Sequence, residues 1–341
     1  MPRSLPRGLH LGHPVPGMPA PEKSLHRRAV LMLLLANLYW GLSFPLVKAI
    51  GLAQAQVVPA SSTWFITAYT IAPRFLIATA VLWLLLRGKL ASFTREEIEQ
   101  GALLGVSAGG GMLLQNDGLQ FTSASVSAFL TQFYAIMIPV YVALRQKRRP
   151  AGVVLLGGGL VFVGVAVLGR FDFHTLRLGR GELETLGCSV FFMLQILLLA
   201  RKDYATNRAL PITLVMFAVE AGLFSVMAFC TAPSPADLLR PWTSGPWLAF
   251  TGLLTLFCTL GSFILMNKWQ PKITATEAGM IYCVEPVFAS IMALFLPAVF
   301  SAWAGFDYAN EPLTWHLLLG GGLITFANVL IQLKPPARSG D

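Results

Sequence analysis

The chain has 341 residues, of which 55% are hydrophobic and only 12% are charged, and its formal net charge is +9. Soluble domains carry about 25% charged residues, so this composition leaves too little polar surface to cover a water-soluble fold. The lysine and arginine residues avoid the long apolar stretches almost entirely. Their positive charge therefore reflects membrane topology and not nucleic-acid binding, and the composition predicts a multi-pass membrane protein.

Ten apolar stretches recur along the chain, each of about 20 residues and so long enough to cross the hydrocarbon core of a bilayer. The third is the least apolar, because residues 101–116 are rich in glycine. Buried helices of a soluble core are the alternative, but ten such runs with so little charge between them favour membrane spans. In chain order the predicted spans are 29–50, 64–86, 98–116, 123–144, 151–168, 181–201, 210–231, 246–267, 274–297 and 314–333.

The distribution of positive charge between the spans predicts the orientation of the chain. With the N-terminus in the cytoplasm, 19 of the 25 lysine and arginine residues lie on the cytoplasmic side, four lie outside and two lie within spans. Cytoplasmic loops of membrane proteins carry an excess of these residues. We therefore expect a multi-pass protein of the plasma membrane, the inner membrane in bacteria, with both termini in the cytoplasm.

The two ends of the chain and its cysteines carry no signal of a further site. Residues 1–28 are rich in proline, histidine and arginine and lack the apolar core of a signal peptide. They are predicted to form a disordered cytoplasmic tail, and residues 334–341 a second cytoplasmic tail. The cysteines lack metal-binding spacing and are interpreted as packing residues, so no metal or cofactor is expected. They are Cys188, Cys230, Cys258 and Cys283.

Two local matches predict that the chain is a duplication. The sequence Leu-Leu-Gly-Gly-Gly-Leu occurs at 155–160 in the fifth span and at 318–323 in the tenth. Residues 121–124, before the fourth span, resemble residues 273–276, before the ninth. The two offsets differ by 11 residues, which requires an insertion in the long loop predicted at 298–313.

Two consecutive halves of five spans each must have opposite orientations in the membrane, because five is an odd number. The predicted fold is therefore an all-α integral membrane protein with ten transmembrane helices. These helices form two inverted five-helix repeats, residues 29–168 and residues 181–333.

Several short motifs lie on these spans in a characteristic order. The first span contains Trp40-Gly41-Leu42-Ser43-Phe44, and the second contains Arg74-Phe75-Leu76-Ile77-Ala78. Later in the chain come Ser123-Ala124, Thr274-Ala275-Thr276-Glu277-Ala278 and Glu285-Pro286-Val287-Phe288. In this order the motifs resemble those of EamA-type members of the drug/metabolite transporter superfamily, which open with Trp-Gly-x-x-Phe and carry an Arg-Phe-x-x-Ala helix. The resemblance covers residues 29–333 and implies the family's fold and a transport activity.

The chain departs from the family's pattern in two places. Residues 145–149 are basic where the family often carries an acidic step, which Glu311-Pro312-Leu313 resembles in the second half. Pro139 lies about five residues beyond the family's usual place for this proline, where Tyr134 stands. The resemblance therefore predicts the fold and leaves the substrate class open.

Ionisable side chains within spans are candidates for function, because a charge in hydrocarbon is costly. Arg74, Glu220 and Glu285 lie near mid-membrane, and Lys48 lies near the outer end of the first span, where its amine can also reach the interface. Under the duplication Arg74 and Glu220 occupy matching depths. They are candidates for a structural ion pair, and contact with substrate or a proton is the alternative. Glu285 precedes a proline and is favoured as the functional carboxylate.

Prolines within the spans are a second kind of candidate. Pro45, Pro73, Pro139 and Pro286 each free the carbonyl four residues earlier. Such carbonyls coordinate substrates where transporter helices are broken, and a kink that serves packing alone is the alternative.

Two stripes of side chains predict which helix faces are buried. Ser123, Ser127, Thr131 and Tyr134 recur on one face of the fourth span, which should therefore face protein or a wet cavity. Gly101, Gly105 and Gly109 form a face of small residues on the third span, which predicts close helix packing.

These candidates predict a secondary transporter that moves a small polar or amphiphilic metabolite by alternating access, in efflux or exchange. The chain has no ATP-binding loop, so a gradient or exchange must supply the energy. A proton or a counter-substrate is the coupled species considered. A second copy of the chain is the further partner considered. A channel or a non-transporting scaffold is the alternative. An integral-membrane enzyme is less favoured, because catalytic motifs are missing. The predicted substrate cavity is lined by Trp40, Arg74, Gln115, Gln132, Tyr134, Tyr282 and Glu285.

Overall fold

The computed structural model describes residues 20–145, 147, 149, 152–168, 178–273 and 275–333. The predicted tail up to residue 19 and the C-terminal tail 334–341 lie outside the described residues. Within the described ranges the chain is helical and has no β-strand.

The helices coincide with the predicted apolar stretches, several of them as broken helices. The first half contains α1 (Ala20–Val57), α2 (Thr63–Leu86), α3 (Arg95–Gly118), α4 (Ala124–Thr131), α5 (Tyr134–Arg145) and α6 (Gly152–Leu168). The second half contains α7 (Arg180–Leu199), α8 (Ala209–Thr231), α9 (Gly245–Leu253), a π-helical segment (Leu254–Gly261), α10 (Ser262–Trp269), α11 (Ala275–Tyr282), α12 (Glu285–Ala293), α13 (Leu296–Ala304) and α14 (Trp315–Leu333).

Length and apolar character allow six of the described helical segments to cross a membrane, or seven if α12 and α13, bent by 48°, form one span. Two shorter apolar helices, Gly152–Gly164 and Trp315–Leu330, lie within α6 and α14. The outer faces expose large apolar side chains, such as Leu85 (72% exposed) and Phe162 (74% exposed). Apolar surface on this scale suits lipid better than water. The chain is therefore a helical, multi-pass membrane protein.

Two boundaries differ from the sequence predictions. Helix α1 begins at Ala20, so residues 20–28 extend the first helix and are not part of a disordered tail. Pro21 lies in the first turn, where a missing N–H costs nothing, and no further proline interrupts the helix before Pro45. The prediction of a loop from residue 298 was also wrong, because α13 continues to Ala304 and ends at Gly305 in the left-handed conformation (φ 73°).

Helices of the first half of the chain pack against helices of the second half. Helix α2 packs along α8, and α6 packs along α14. Helix α3 packs against α7, and α1 packs against α9, the π-helical segment and α10. The interrupted helix that begins with α4 meets the interrupted helix that contains α12.

The glycine stripe on α3 is a close helix contact, as predicted. A Cβ atom at Gly101 would lie 2.6 Å from Val215 Cβ, and one at Gly105 would lie 2.8 Å from Val219 Cβ. Both valines belong to α8. The small residues therefore let the α3 and α8 backbones approach more closely than any side chain would allow.

An ion pair between buried Glu97 and half-exposed Arg208 joins the starts of α3 and α8. The Glu97 side chain is 2% exposed and accepts hydrogen bonds from Arg208 Nε at 2.7 Å and Arg208 Nη2 at 2.8 Å. The same carboxylate accepts from the backbone N–H of Thr94 at 3.0 Å, which completes a capping box on α3. The hydrogen bonds from Arg208 lower the pKa of the Glu97 carboxyl from 4.5 to about 2.

This lowered pKa predicts a pH-dependent effect of Glu97→Gln on stability. Because the pKa is lower in the folded protein, the stabilisation is complete above about pH 4.5 and is lost as the pH falls towards 2. Glu97→Gln should therefore lower the melting temperature of the detergent-purified protein at neutral pH, and this difference should shrink below pH 4.5. Glu96→Gln, at the exposed neighbouring position, is the matched control. A deficit that stays constant down to pH 2 would contradict the assignment.

Candidate functional site

A cavity lies among the helices, with about 70 Å³ open to the centres of water molecules. This is room for several waters. Side chains from α1, α2, α3, α7, α10, the π-helical segment and both interrupted helices meet there. The lining residues are Trp40, Ser43, Val47, Arg74, Met112, Gln115, Asn116, Thr131, Tyr134, Phe192, Gln195, Ile196, Cys258, Phe263, Met266, Tyr282 and Glu285.

The structure brings six of the seven predicted site residues to this cavity. Only Gln132 is not among the lining residues, although its Nε2 lies 3.5 Å from Glu285 Oε2 and donates a long hydrogen bond to it. Polar and charged side chains in an apolar helix bundle must find each other or water, which explains why they converge. Their role in binding a substrate stays a prediction.

The two interrupted helices supply the middle of the cavity. One is interrupted between Thr131 and Tyr134, and the other between Tyr282 and Glu285. The first parts begin at Ala124 and at Ala275, which are 151 positions apart, and the second parts begin at Tyr134 and Glu285, again 151 apart. Tyr134 and Glu285 therefore occupy equivalent places beside the two interruptions.

Only one of the four in-span prolines accompanies an interruption. Pro286 occupies the first turn of α12, where its missing N–H leaves the Tyr282 carbonyl without its usual partner. Helices α1, α2 and α5 continue through Pro45, Pro73 and Pro139. These three prolines therefore do not break their helices, and the interruption before Tyr134 has no proline at all.

Aromatic rings form one wall of the cavity. The Trp40 ring packs edge-on against Tyr282 and against Phe263, in both cases with 5.6 Å between ring centroids. The Tyr282 hydroxyl donates to Gln270 Oε1 at 2.8 Å, and Gln270 Nε2 donates to the Ile196 carbonyl at 3.2 Å. This chain of contacts ties α1, α10, α11 and α7 together on one side of the cavity.

Hydroxyl and amide groups form a second wall. Gln115 Nε2 donates to Thr131 Oγ1 at 3.0 Å, and Ser127 Oγ lies 3.3 Å from Thr185 Oγ1 of α7. Ser123 instead caps the N-terminus of α4, where its Oγ accepts from the Val126 N–H. The predicted stripe on the fourth span therefore faces protein and the cavity, and not lipid.

Arg74 and Glu220 are buried on the neighbouring helices α2 and α8, but they form no ion pair in this structure. Arg74 lines the cavity and donates a hydrogen bond from Nη2 to Met112 Sδ, while its Nε has no hydrogen-bond partner among the described residues. Glu220 is 0% exposed, and within the same ranges neither of its carboxylate oxygens has a hydrogen-bond partner. The two side chains are nevertheless close enough to interact through their charges.

Comparison with known protein families gives a match in the first half of the chain. Residues 27–170 match the EamA-like transporter family. This segment is therefore similar to an EamA-type domain. An uncharacterized transporter from Archaeoglobus fulgidus is 26% identical over 312 residues, which cover 90% of this chain and 86% of that protein. These findings support a membrane transporter in general, and point to a transporter rather than an enzyme.

A solved structure supports the fold beyond the EamA-type domain. This crystal structure, described only as that of a protein, superposes with a TM-score of 0.56 at 16% identity. The superposition covers 90% of this chain and 98% of the other. The similarity therefore extends over both halves of the described helices, although at this identity it concerns the fold alone.

Sequence reasoning missed several side chains that line the cavity, among them polar residues and a cysteine. Asn116 and Gln195 are uncharged polar residues within apolar helices, and their polarity was a usable signal. Ser43 lies inside the Trp-Gly-x-x-Phe motif of the EamA-type domain, three positions after Trp40. Cys258 was interpreted as a packing residue, and no spacing in the sequence places it at the cavity.

Lys48 has a partner within the protein. Its Nζ donates to the Thr122 carbonyl at 2.9 Å, and Thr122 Oγ1 donates to Glu182 Oε1 at 2.6 Å. The amine therefore links the C-terminal part of α1 to the segment before α4 and to the start of α7, and does not extend freely to the membrane interface.

Proposed function

We propose that the protein is a secondary transporter that moves a small polar or amphiphilic metabolite across the membrane by alternating access. The observation that carries the proposal is the cavity, which brings Arg74, Glu285 and several amides together between two interrupted helices of an apolar bundle. Buried ionisable groups at helix interruptions are typical of substrate sites in secondary transporters. Efflux or exchange is the proposed direction, with a proton or counter-substrate as the coupled species.

We propose further that ten spans form two inverted five-helix repeats. The packing of the helices supports this arrangement, since α2 packs along α8, α6 along α14 and α4 against α12, and the contact of α3 with α7 has a counterpart in that of α1 with α9 and α10. Arg74 is the twelfth residue of α2 and Glu220 is the twelfth residue of α8, which is consistent with an equivalence of these helices. The common spacing of 151 positions between the interrupted helices supports it as well.

Alternating access requires that the cavity can be closed on either side, and contacts of the required kind exist near both ends of the helices. Under the proposed topology the Lys48–Thr122–Glu182 contacts and the ion pair of Arg180 with Asp117 lie towards the outside. The contacts of Gln270 with Tyr282 and Ile196 lie towards the cytoplasm. Opening one set while the other stays closed would expose the cavity to one side only.

Counterflow in proteoliposomes tests this function. Liposomes that contain the purified protein are loaded with a pool of small metabolites and then exposed to a trace of each labelled compound in turn. A transporter accumulates the label of its substrate transiently, because the binding site exchanges label across the membrane. Flux that does not saturate and shows no counterflow would favour a channel, and an absence of flux for every compound would favour a scaffold.

We predict that the C-terminus lies in the cytoplasm. A green fluorescent protein fused after Asp341 should fluoresce, because this reporter matures in the cytoplasm, whereas alkaline phosphatase at the same position should be inactive. Alkaline phosphatase inserted after Ala309, in the segment proposed to be external, should be active. The opposite result at Asp341 would contradict the proposed topology.

A further inference from the structure

Arg74 and Glu220 carry opposite charges on neighbouring helices, and yet they do not form an ion pair. They lie on the tightly packed helices α2 and α8, and no nitrogen–oxygen distance of 4.0 Å or less joins them in the described parts of the chain. Arg74 is turned to the cavity, whereas Glu220 is not among the residues that line it. The carboxyl group of Glu220 therefore has neither water from the cavity nor a protein donor.

A buried carboxylate without a partner is far more costly than a neutral carboxylic acid in the same place. In the observed arrangement Glu220 is therefore most stable with a proton bound. The Arg74 guanidinium then lacks a protein counter-ion, and the natural counter-ion would be an anion in the cavity.

We propose that Arg74 binds an anionic group of the substrate and that Glu220 takes up one proton when this group binds. The inference rests on the proposed transport function and names a substrate class for it, molecules with a carboxylate or a phosphate. Without the anion, ionised Glu220 turns to Arg74 and neutralises it. When the anion replaces Glu220 as the counter-ion, the carboxylate takes up a proton that the buffered solution supplies, so the net charge of the site is unchanged.

The surroundings of Glu220 leave Arg74 as the charged group that acts on it. Helix α3 presents glycine at this level, since a Cβ atom at Gly109 would lie 3.8 Å from Glu220 Cγ. Helix α10 contributes Asn267, which donates to Thr213 of α8 at 2.9 Å. At the start of α8, Arg208 is paired with Glu97 of α3. In the described residues, the remaining ionisable neighbour is Cys258, which interacts with Arg74 from the π-helical segment.

Glu285 is the other carboxylate that must be considered. It lies in the same cavity, but it begins α12, which packs against α1 and α4, whereas Arg74 belongs to α2, which packs against α8 and α3. Glu285 therefore remains available for another part of the substrate, and its own titration must be separated from that of Glu220 by experiment.

Isothermal titration of the purified full-length protein in detergent tests the proposal. The probes are acetate, benzoate and inorganic phosphate, with benzamide as the uncharged counterpart of benzoate. Binding heats in two buffers with different heats of ionisation give the number of protons taken up. We expect an anion to bind, benzamide not to bind, and uptake to approach one proton per anion. At pH values where Glu220 is ionised in the empty protein, the affinity should fall about tenfold per pH unit.

Variants assign the proton to Glu220. Glu220→Gln mimics the neutral acid and should bind the same anion without proton uptake and without this pH dependence. Arg74→Gln should bind no anion, and Arg74→Lys, which keeps the charge, should bind more weakly but with the same proton uptake. Asp203→Asn, at an exposed position, controls for surface carboxylates.

The proposal is overturned if none of the three anions binds, if benzamide binds as well as benzoate, or if proton uptake persists in Glu220→Gln. Loss of uptake in Glu285→Gln alone would assign the proton to Glu285 and overturn it too. Binding with proton uptake but without counterflow of any compound would leave this site intact and contradict the transport function. Counterflow of uncharged compounds alone would support the transport function and contradict the proposed anion site.

Discussion

Replacing Gly41 by leucine is expected to prevent the helix bundle from assembling. Gly41 lies on α1 at its contact with α12, where a Cβ atom would come within 2.6 Å of Phe288 Cβ and 2.9 Å of the Ala289 backbone nitrogen. A backbone atom cannot move aside as the tip of a side chain can. Helix α12 would have to separate from α1, and the cavity between Trp40 and Glu285 would lose its shape.

The effect should be graded with side-chain size. Gly41→Ala should destabilise the protein by about 1–3 kcal/mol, in the range of other overpacked sites, and Gly41→Leu should give no monodisperse protein. Size-exclusion chromatography of detergent extracts, before and after heating, measures both. Gly222→Ala is the matched control, because Gly222 lies within α8 and a Cβ atom there would have no neighbour within 4 Å. A normally folded Gly41→Leu protein would show that α1 and α12 do not pack as described.

Some features could be predicted from the sequence, because the free-energy cost of burying polar groups leaves few possible arrangements. Ionisable and amide side chains within apolar helices must meet each other or water, so Arg74, Gln115 and Glu285 could be assigned to one cavity before their helices were placed. The glycine stripe on α3 is a second example. A face without side chains has little function except a close approach, and α8 makes that approach.

Other features could not be predicted from the sequence, because they depend on which residues meet in the folded protein and not on a residue type. The interruption before Tyr134 has no proline, and neither does the π-helical segment at Leu254–Gly261. Conversely, Pro45 and Pro73 lie within continuous helices, because packing against other helices can hold a helix straight around a missing hydrogen bond. Proline thus indicates where a helix can break, and tertiary contacts decide where it does.

The partner of Arg74 is another case of this kind. Its position in the sequence predicts a neighbouring carboxylate, because a lone guanidinium at mid-membrane costs at least roughly 2.5–3.5 kcal/mol. The structure places Glu220 nearby, on the adjacent helix, but turns Arg74 to the cavity and to Met112. A pairing that depends on side-chain rotamers in two helices cannot be derived from the depth of two residues alone.

A cysteine at position 43 is expected to react with a water-soluble thiol reagent, although it lies within the first apolar helix. Ser43 lines the cavity, and Ser→Cys is nearly isosteric, so the variant should keep the fold. The thiolate is the reactive form of cysteine, and a thiol ionises readily in a wet cavity but not in hydrocarbon. In a background in which the four native cysteines are replaced, labelling of Ser43→Cys by a charged methanethiosulfonate should be at least about tenfold faster than that of Leu84→Cys.

Leu84 makes this comparison specific, because its side chain is 54% exposed on the outer face of α2, where lipid would surround it. Judged by exposure alone, Leu84→Cys would be labelled faster than Ser43→Cys, because Leu84 is open to the surroundings and Ser43 lies within the bundle. Only a cavity that admits water reverses this order of labelling rates. Protection of Ser43→Cys by a transported compound, once counterflow has identified one, would further place the bound substrate beside α1. Equal and slow labelling of both positions would mean that the cavity is dry, and the proposed substrate site would then be wrong.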